Sequence, residues 1–306
     1  MFDCGPLGDG GHGHYDALNV EIAAGGRPIV VDPGRYTYCD DAPHWRRWFK
    51  GTAAHNTVTV DGLDQTAYRR GRPKGPVASA TLLQRLAGSG IDVMWGEAVS
   101  PVYSAVHRRR VIFVAGEYWI LEDVVDDVEP HSYDLRFHLT PDAGDRVVMR
   151  SAPNASIAVA PAVALVFAGD AHVHVEGGWV APSYAVKHAA PVVVARAGGV
   201  ARARFITLVW PADAGDVPSL AVDDSSAGTT AVEISGVRSI GRWRDRIVWA
   251  RSGCAIDLPE LNCRAAAAWT REDEGSAAGA IAAAHPVDVF ADIGSGDAAS
   301  CEQVSS

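Results

Sequence analysis

Apolar and polar positions alternate with a period of two along much of the chain. Residues 56–60 (NTVTV) and 133–139 (YDLRFHL) show this alternation directly, and β-branched or aromatic runs of similar length occur elsewhere. Glycine, proline and aspartate bound most of these stretches. The pattern predicts antiparallel strands joined by short turns. The predicted strands are 18–22, 56–60, 110–114, 119–125, 133–139, 162–167, 192–195, 205–210 and 246–250.

Helical periodicity is scarce by comparison. Residues 81–86 and the alanine-rich stretch 277–284 are the helical candidates, and both are short. Strands do not alternate with long helices, which argues against a parallel, doubly wound sheet. We therefore expect an all-β fold in which one large antiparallel β-sandwich occupies residues 1–306. The small and polar residues 294–306 are expected to form a flexible tail.

Composition and charge narrow the class of protein. Of the 306 residues, 48% are hydrophobic and 21% are charged, which indicates a globular chain and excludes intrinsic disorder. The apolar stretches end within about ten residues, whereas a membrane-spanning helix needs ~20. A net charge of −10 argues against nucleic acid as a partner. The first residues lack the basic and apolar regions of a signal peptide, and the cellular location is left open.

The cysteines do not indicate a fold that is held together by disulfides or by thiolate-bound zinc. There are five, an odd number, and none forms a CxxC pair. A dense disulfide framework and a thiolate zinc ribbon are therefore not expected, although a single bridge between Cys254 and Cys263 stays open.

Histidine chemistry is concentrated in the segment GDGGHGHYDAL. His12 and His14 are two residues apart, so in an extended backbone both imidazoles project from one face, which Asp16 continues. The flanking glycines allow the backbone to approach another group closely. This combination suits a metal or substrate site, and the alternative is a surface turn with incidental histidines.

Two further segments supply candidate ligands. Asp32 ends an apolar strand at a tight turn, and His55 immediately precedes an alternating strand. Each residue alone also has an ordinary explanation, as a turn residue or a surface histidine. Together with an imidazole from the glycine-rich segment, they make a two-histidine, one-carboxylate set typical of zinc, which leaves a fourth position for water.

The motifs in these segments resemble a known family. The blocks are GHGHYDAL at 11–18, GRP and VDPG with Tyr36 at 26–36, WRRWF leading to TAAHNTV at 45–58, and VDG with Gln65 at 60–65. In order and spacing they resemble the C-terminal domain of the heparinase II/III family, over residues 1 to about 140. That family comprises bacterial polysaccharide lyases, including heparin, heparan and oligo-alginate lyases. Its members usually join an N-terminal α/α toroid to a β-sandwich, with the substrate between the two.

The resemblance implies roles for individual residues. His14, Asp32 and His55 match the family's zinc ligands, and the zinc is mainly structural. His12 matches the histidine that faces the substrate. The base and acid of the family, a tyrosine with a histidine or asparagine, lie on the toroid. Only eleven residues precede His12, so the toroid is expected to be absent from this chain, and the chain alone is expected to cleave polysaccharide poorly or not at all.

The resemblance also implies partners and a compartment. The expected ligand is an acidic polysaccharide or oligosaccharide, and a separately encoded toroid is a possible protein partner. Relatives are often periplasmic or attached to the cell envelope.

Further residues have both a functional and a structural interpretation. Arg46 and Arg47 lie in the aromatic block 45–49, where guanidinium groups suit carboxylate or sulfate, or alternatively cover core aromatics. Tyr36 and Tyr38 could donate a hydroxyl to substrate or simply pack. By contrast, residues 108–110 (RRR) are expected to be a solvated strand start, and His172 and His174 to be surface or edge residues.

Three functions follow from these interpretations. The first is a polysaccharide lyase, or the sandwich part of one, that acts on uronate polysaccharide by β-elimination. The second is a non-catalytic carbohydrate-binding or structural module. The third is a cupin-like metal enzyme, but Glu21 lies seven residues after His14, too far for the usual cupin spacing.

Overall fold

The computed structural model describes residues 1–7, 12–70, 75–88, 90–212, 216–238, 241–253, 256–258, 263–273 and 280–286. These residues divide into two compact units. Unit 1 comprises Met1–Leu83, Trp95–Val111 and Tyr118–Val217, and unit 2 comprises Gln84–Met94, Ile112–Glu117 and Pro218–Ser306. The expected single domain over 1–306 stays a prediction. The expected tail and Cys254 lie outside the described residues.

Antiparallel strands make up nearly all of the regular structure. The first twelve strands are β1 (Ile22–Ala24), β2 (Arg27–Val30), β3 (Val58–Val60), β4 (Ser79–Gly88), β5 (Ile91–Val99), β6 (Val106–Val114), β7 (Tyr118–His138), β8 (Val148–Ala152), β9 (Ala155–Val159), β10 (Val163–Ala168), β11 (His172–Ser183) and β12 (Val186–Pro211). Two short 3₁₀ helices, η1 (Thr52–Ala54) and η2 (Pro141–Ala143), lie between strands.

Unit 1 is built around the long pair β7 and β12. The strand order is β5-β6-β7-β12-β10-β9-β8, while β3 also pairs with β7, and β11 with β12. Alternation along β7 sends Tyr133, Leu135 and Phe137 into the apolar core. His138, which follows Phe137, faces the opposite way and hydrogen-bonds with Asn56. The sheet therefore has its core on one face and supports polar segments on the other.

Unit 2 contains β13 (Ser219–Asp223), β14 (Thr229–Arg238), β15 (Gly241–Ala250), β16 (Ile256–Leu258), β17 (Cys263–Ala265), β18 (Ala267–Asp273) and β19 (Ala280–Pro286). The pairing order is β13-β14-β15-β18-β19, with β16 and β17 as a separate pair. Val232, Ile247 and Trp249 are fully buried in this unit. The predicted all-β, antiparallel sandwich class is thus confirmed.

Both predicted helices are wrong. Residues 81–86 lie within β4, and the described part of 277–284 lies within β19, which pairs with β18. Runs this short cannot offset the cost of nucleating a helix, so pairing with neighbouring strands decides their structure. The predicted strand 18–22 is also mostly wrong, because β1 begins at Ile22 and Leu18 has φ of 64°.

One short α-helix, α1 (Trp45–Lys50), was not predicted. It buries Arg46, Phe49 and Lys50, which are spaced at i, i+3 and i+4 and so share one helix face. Within the described residues, no helix has the length and apolar character that a membrane crossing requires. The described part of the chain also contains no α/α toroid.

The arginine run at 108–110 is not a solvated strand start. Arg109 is completely buried and Arg110 is 4% exposed. Arg109 pairs with the buried carboxylate of Asp123, and Arg110 pairs with Glu122, both on the neighbouring strand β7. The acidic residues of β7 therefore neutralise cations that would otherwise need solvent. As predicted, His172 and His174 lie on the partly exposed strand β11.

Candidate functional site

Three segments of unit 1 bring the predicted ligands together. His14 follows the glycine-rich stretch, Asp32 lies two residues beyond β2, and His55 ends η1. One ligand atom from each residue lies within 4.8 Å of the other two. The spacing in the sequence gave no distance between these segments, so their convergence is a result of the fold.

A glycine turn fixes the position of Asp32. Gly34 has φ of 73°, and its backbone N–H donates to Asp32 Oδ1 at 2.8 Å. A Cβ at position 34 would lie 2.6 Å from the carbonyl oxygen of Ala181. Only glycine suits both the left-handed backbone and this close approach.

The His55 and Asp32 side chains form an ion pair. His55 Nδ1 lies 2.7 Å from Asp32 Oδ2, and the His14 ring centre is 4.9 Å from that of His55. Burial lowers the pKa of His55, but the charge and hydrogen bond of Asp32 outweigh burial and raise it to about 9. Burial alone would raise the pKa of Asp32, but the pairing with His55 outweighs burial and lowers that pKa. The carboxyl therefore stays ionised.

The pKa of His14 is shifted in the opposite direction to that of His55. Burial, followed by the positive charge of His55, lowers the pKa of His14 to about 3. His14 is therefore a neutral imidazole and Asp32 an ionised carboxylate at neutral pH, which are the forms that bind metals. His55 must give up its proton to ligate a metal, and the set of two imidazoles and one carboxylate that results fits zinc.

Two buried asparagines, Asn19 and Asn56, support this cluster and were not singled out from the sequence. Asn19 Nδ2 donates to Asp32 Oδ2 at 3.1 Å. Asn56 Oδ1 accepts hydrogen bonds from the backbone and the ring of His138. Burial and the charge of His55 lower the pKa of His138 to about 3, so it stays neutral behind the cluster.

His12 lies outside the ligand cluster and is exposed. Its Nδ1 is 3.3 Å from the hydroxyl of Tyr38, and its carbonyl oxygen accepts a hydrogen bond from Arg35. A cavity of about 310 Å³ is lined by His12, His14 and Asp16, among others. The two histidines of the HxH pair thus have different surroundings, with one in the cluster and one facing solvent.

Of the two predicted substrate-contacting residues, Arg46 lies in α1 and Tyr36 packs against the aromatic side chains of that helix. Arg46 is 8% exposed, and its guanidinium donates to Asp40 Oδ2 at 2.9 Å. Tyr36 packs its ring against Phe49 at 5.7 Å and Trp45 at 6.1 Å between centres. Arg46 is therefore a paired interior cation rather than an open anion receptor, and the substrate roles of both residues stay predictions.

A family model described as heparinase II/III-like, C-terminal, matches residues 1–234. The chain belongs to this family. The match extends well beyond residue 140, where the resemblance recognised in the sequence ends. A heparin-sulfate lyase of Bacteroides stercoris is 28% identical over 133 residues, which are 42% of this chain and 18% of that lyase.

Solved lyase structures share the fold of this family member. The crystal structure of heparan sulfate lyase HepC from Pedobacter heparinus has a TM-score of 0.63 at 19% identity. The match covers 76% of this chain and 37% of that protein. The crystal structure of heparinase III has a TM-score of 0.59 at 20% identity, with 75% and 35% covered. The chain thus spans little more than a third of these lyases.

Proposed function

We propose that this chain is the sandwich part of a polysaccharide lyase that cleaves uronic-acid-containing polysaccharide by β-elimination. The observation that carries the proposal is the position of His12. It is exposed at a cavity and lies two residues from His14 in the cluster of His14, Asp32 and His55, of which His55 is fully buried and the other two are partly buried. Membership of the heparinase II/III-like family and the lyases among the relatives support the same reaction class.

The reaction explains why an exposed imidazole is useful here. A lyase removes the proton on C5, beside the uronate carboxylate, and the oxygen on C4 leaves. Negative charge builds up on the carboxylate, so donors placed nearby stabilise the transition state. His12 is placed to donate to the sugar or to assist proton transfer, and the Tyr38 hydroxyl, 3.3 Å from its Nδ1, orients the ring.

In this proposal His14, Asp32 and His55 hold a zinc ion. These residues would let a bound zinc cross-link the glycine-rich segment, the turn after β2 and the end of η1. The ring of His12 stays outside this cross-link and faces the saccharide. The buried asparagines keep the Asp32 and His55 segments in place.

The matched HxH pair tests the metal assignment. Metal analysis of the purified protein should find about one zinc per chain. His14→Ala and His55→Ala should each remove the zinc and lower the melting temperature, because metal-binding energy adds to folding energy. His12→Ala should keep both. Zinc loss in His12→Ala alone, or full zinc in His55→Ala, would contradict the assignment.

Saccharide binding and cleavage test the reaction class. The chain should be titrated with heparin, heparan sulfate, alginate and hyaluronan, and product formation followed by the ultraviolet absorbance of unsaturated uronate. We expect binding of at least one acidic polymer and poor cleavage by the chain alone, since the resemblance assigns the base and acid to a toroid. His12→Ala should weaken binding further. Failure to bind any of the four polymers would overturn the proposal.

A further inference from the structure

The tip of the β11–β12 hairpin is attached to the segment that follows Asp32. Ala181 N donates to the carbonyl oxygen of Pro33, and Ala185 N donates to that of Tyr36, each at 2.8 Å. Gly34 and Ala181 also form a parallel bridge. The hairpin tip is therefore held beside the predicted metal centre by backbone contacts.

This attachment places two exposed tyrosines side by side. Tyr184, at the hairpin tip, is 60% exposed, and Tyr38 is 48% exposed. Their ring centres are 6.0 Å apart, with an angle of 24° between the planes. The other edge of this pair reaches His12, whose ring centre lies 5.6 Å from that of Tyr38. The result is a surface of three rings that begins at His12 and ends at the hairpin tip.

A cation lies against the same surface. The Arg35 guanidinium carbon is 4.8 Å from the centre of the Tyr38 ring, and the guanidinium also donates to the carbonyl oxygen of His12. Guanidinium groups suit carboxylate and sulfate because their donors match two oxygens at once. Aromatic faces combined with a few placed polar groups are characteristic of small-molecule binding sites.

We propose that Tyr38 and Tyr184, with Arg35 beside them, form a second saccharide subsite adjoining His12. The subsite takes the next sugar of the acidic chain whose reacting uronate lies at His12. The tyrosine rings stack on the apolar face of the pyranose, and Arg35 pairs with its carboxylate or sulfate. The subsite rests on the proposed function and deepens it, because it extends the bound saccharide along the hairpin.

The structural explanation for Tyr184 is that its ring anchors the hairpin. Other contacts already do this, since the hairpin tip has the two backbone hydrogen bonds to Pro33 and Tyr36. In addition, Lys187 Nζ lies 3.2 Å from the ring centre of Trp179 and 4.1 Å from that of Trp45. Removing the Tyr184 ring should therefore leave the hairpin in place.

The test compares Tyr184→Phe, Tyr184→Leu and Tyr184→Ala in the full chain. Each is titrated with heparan sulfate and alginate oligosaccharides of defined length, and the Kd is measured by calorimetry. Phe keeps the stacking ring and should bind within about twofold of wild type. Leu and Ala should bind about five- to tenfold more weakly, because they lose the aromatic face. Val175→Ala, an exposed site on the same hairpin, is the matched control and should bind as wild type.

Each outcome decides a separate point. If wild type binds and Tyr184→Leu binds equally well, the subsite is overturned and the proposed function stands. If wild type binds none of the acidic oligosaccharides, both proposals fail. If Tyr184→Ala unfolds, Tyr184→Leu still decides, because it keeps apolar bulk against Tyr38 without the planar ring, and Tyr184→Phe accounts for the lost hydroxyl.

Discussion

The backbone N–H of Asn56 donates to Asn19 Oδ1 at 2.9 Å, which links the two buried amides behind the predicted metal centre. The Asn56 amide nitrogen also donates to the carbonyl oxygens of Val20 and Val31, at 2.8 Å and 2.9 Å. Asn19 in turn donates to Asp32. The segments that carry Asp32 and His55 are thus joined by hydrogen bonds in the absence of any metal ligation.

Asn56→Ala should therefore destabilise unit 1 strongly. The substitution leaves the carbonyl oxygens of Val20 and Val31 and the backbone N–H of His138 without their partner. Unsatisfied buried groups cost about 1–3 kcal/mol each, so we expect a loss of at least ~2 kcal/mol in the free energy of unfolding. Urea unfolding measures it, and a change below about 0.5 kcal/mol would contradict the scaffold role.

Arg109 provides a second buried support, from strand β6. Its guanidinium donates to Asp123 Oδ1 at 2.7 Å, to the Leu18 carbonyl oxygen at 2.6 Å and to the Asn56 carbonyl oxygen. Arg109→Met leaves the Asp123 carboxylate buried without this cation, a change that typically costs 3–5 kcal/mol (about the size of a large core deletion).

The neighbouring Arg108→Met is the control for this prediction. Its side chain is 36% exposed and pairs with Glu97 at 2.7 Å, so its loss should cost about 0–1 kcal/mol. The two variants remove the same charge one residue apart and differ in burial. Equal effects on the urea midpoint would show that burial of Arg109 does not control stability here.

The Lys187 ammonium is predicted to hold the hairpin against helix α1. It lies over the rings of Trp179 and Trp45, where cation–π attraction contributes about 0.5–2 kcal/mol. Lys187→Met should lower the free energy of unfolding by about that amount and change tryptophan fluorescence, whereas Lys187→Arg should largely retain both. A methionine variant as stable as wild type, with unchanged fluorescence, would contradict this role of Lys187.

His131 should make the stability of unit 1 depend on pH. The hydrogen bond to Asp61, at 2.6 Å, raises the pKa of His131 above its ordinary value of 6.5. The stabilisation is fully present below pH 6.5 and is lost as pH rises through the raised pKa. For Asp61, whose pKa is lowered chiefly by the backbone N–H of Ser132 and then by His131, the contribution is present above pH 3.8 and is lost in acid.

The measurement is the melting temperature of wild type minus that of His131→Asn as a function of pH. The difference should be largest between about pH 5 and about pH 6 and should shrink in the alkaline range. His172→Asn, on the exposed strand β11, serves as the control and should follow wild type. A difference that grows with rising pH would refute the assignment.

The ligand cluster could be predicted from the sequence because its residues lie in motifs with fixed order. The buried residues that support the cluster, Asn56 and Arg109, could not be predicted in this way. Asn56 follows His55 and looks like an ordinary strand start, although its side chain makes hydrogen bonds with three other segments. The run at 108–110 looks solvated until β7 is paired with β6, which places Asp123 and Glu122 opposite the arginines. The acidic residues of β7 were the available signal.

Helices and hairpin contacts were equally hard to predict. Six residues are too few for a periodicity to separate α1 from a strand, and its buried face includes Arg46, which a hydrophobicity pattern would place outside. Tyr184 lies about 150 residues from Tyr38 in the chain, and nothing local marks the two as neighbours. Such contacts depend on the β11–β12 register rather than on either sequence segment.

The turn at Gly34 has a consequence for anyone who transfers this site to another protein. The same glycine shapes the Asp32 turn and leaves room for the carbonyl of Ala181. The residue at position 34 is therefore constrained by both the turn and the hairpin. A graft of residues 32–36 without the hairpin would leave one side of the turn unsupported. The smallest transferable module is therefore discontinuous: the turn and the hairpin tip must move together, at their present spacing, into any new scaffold.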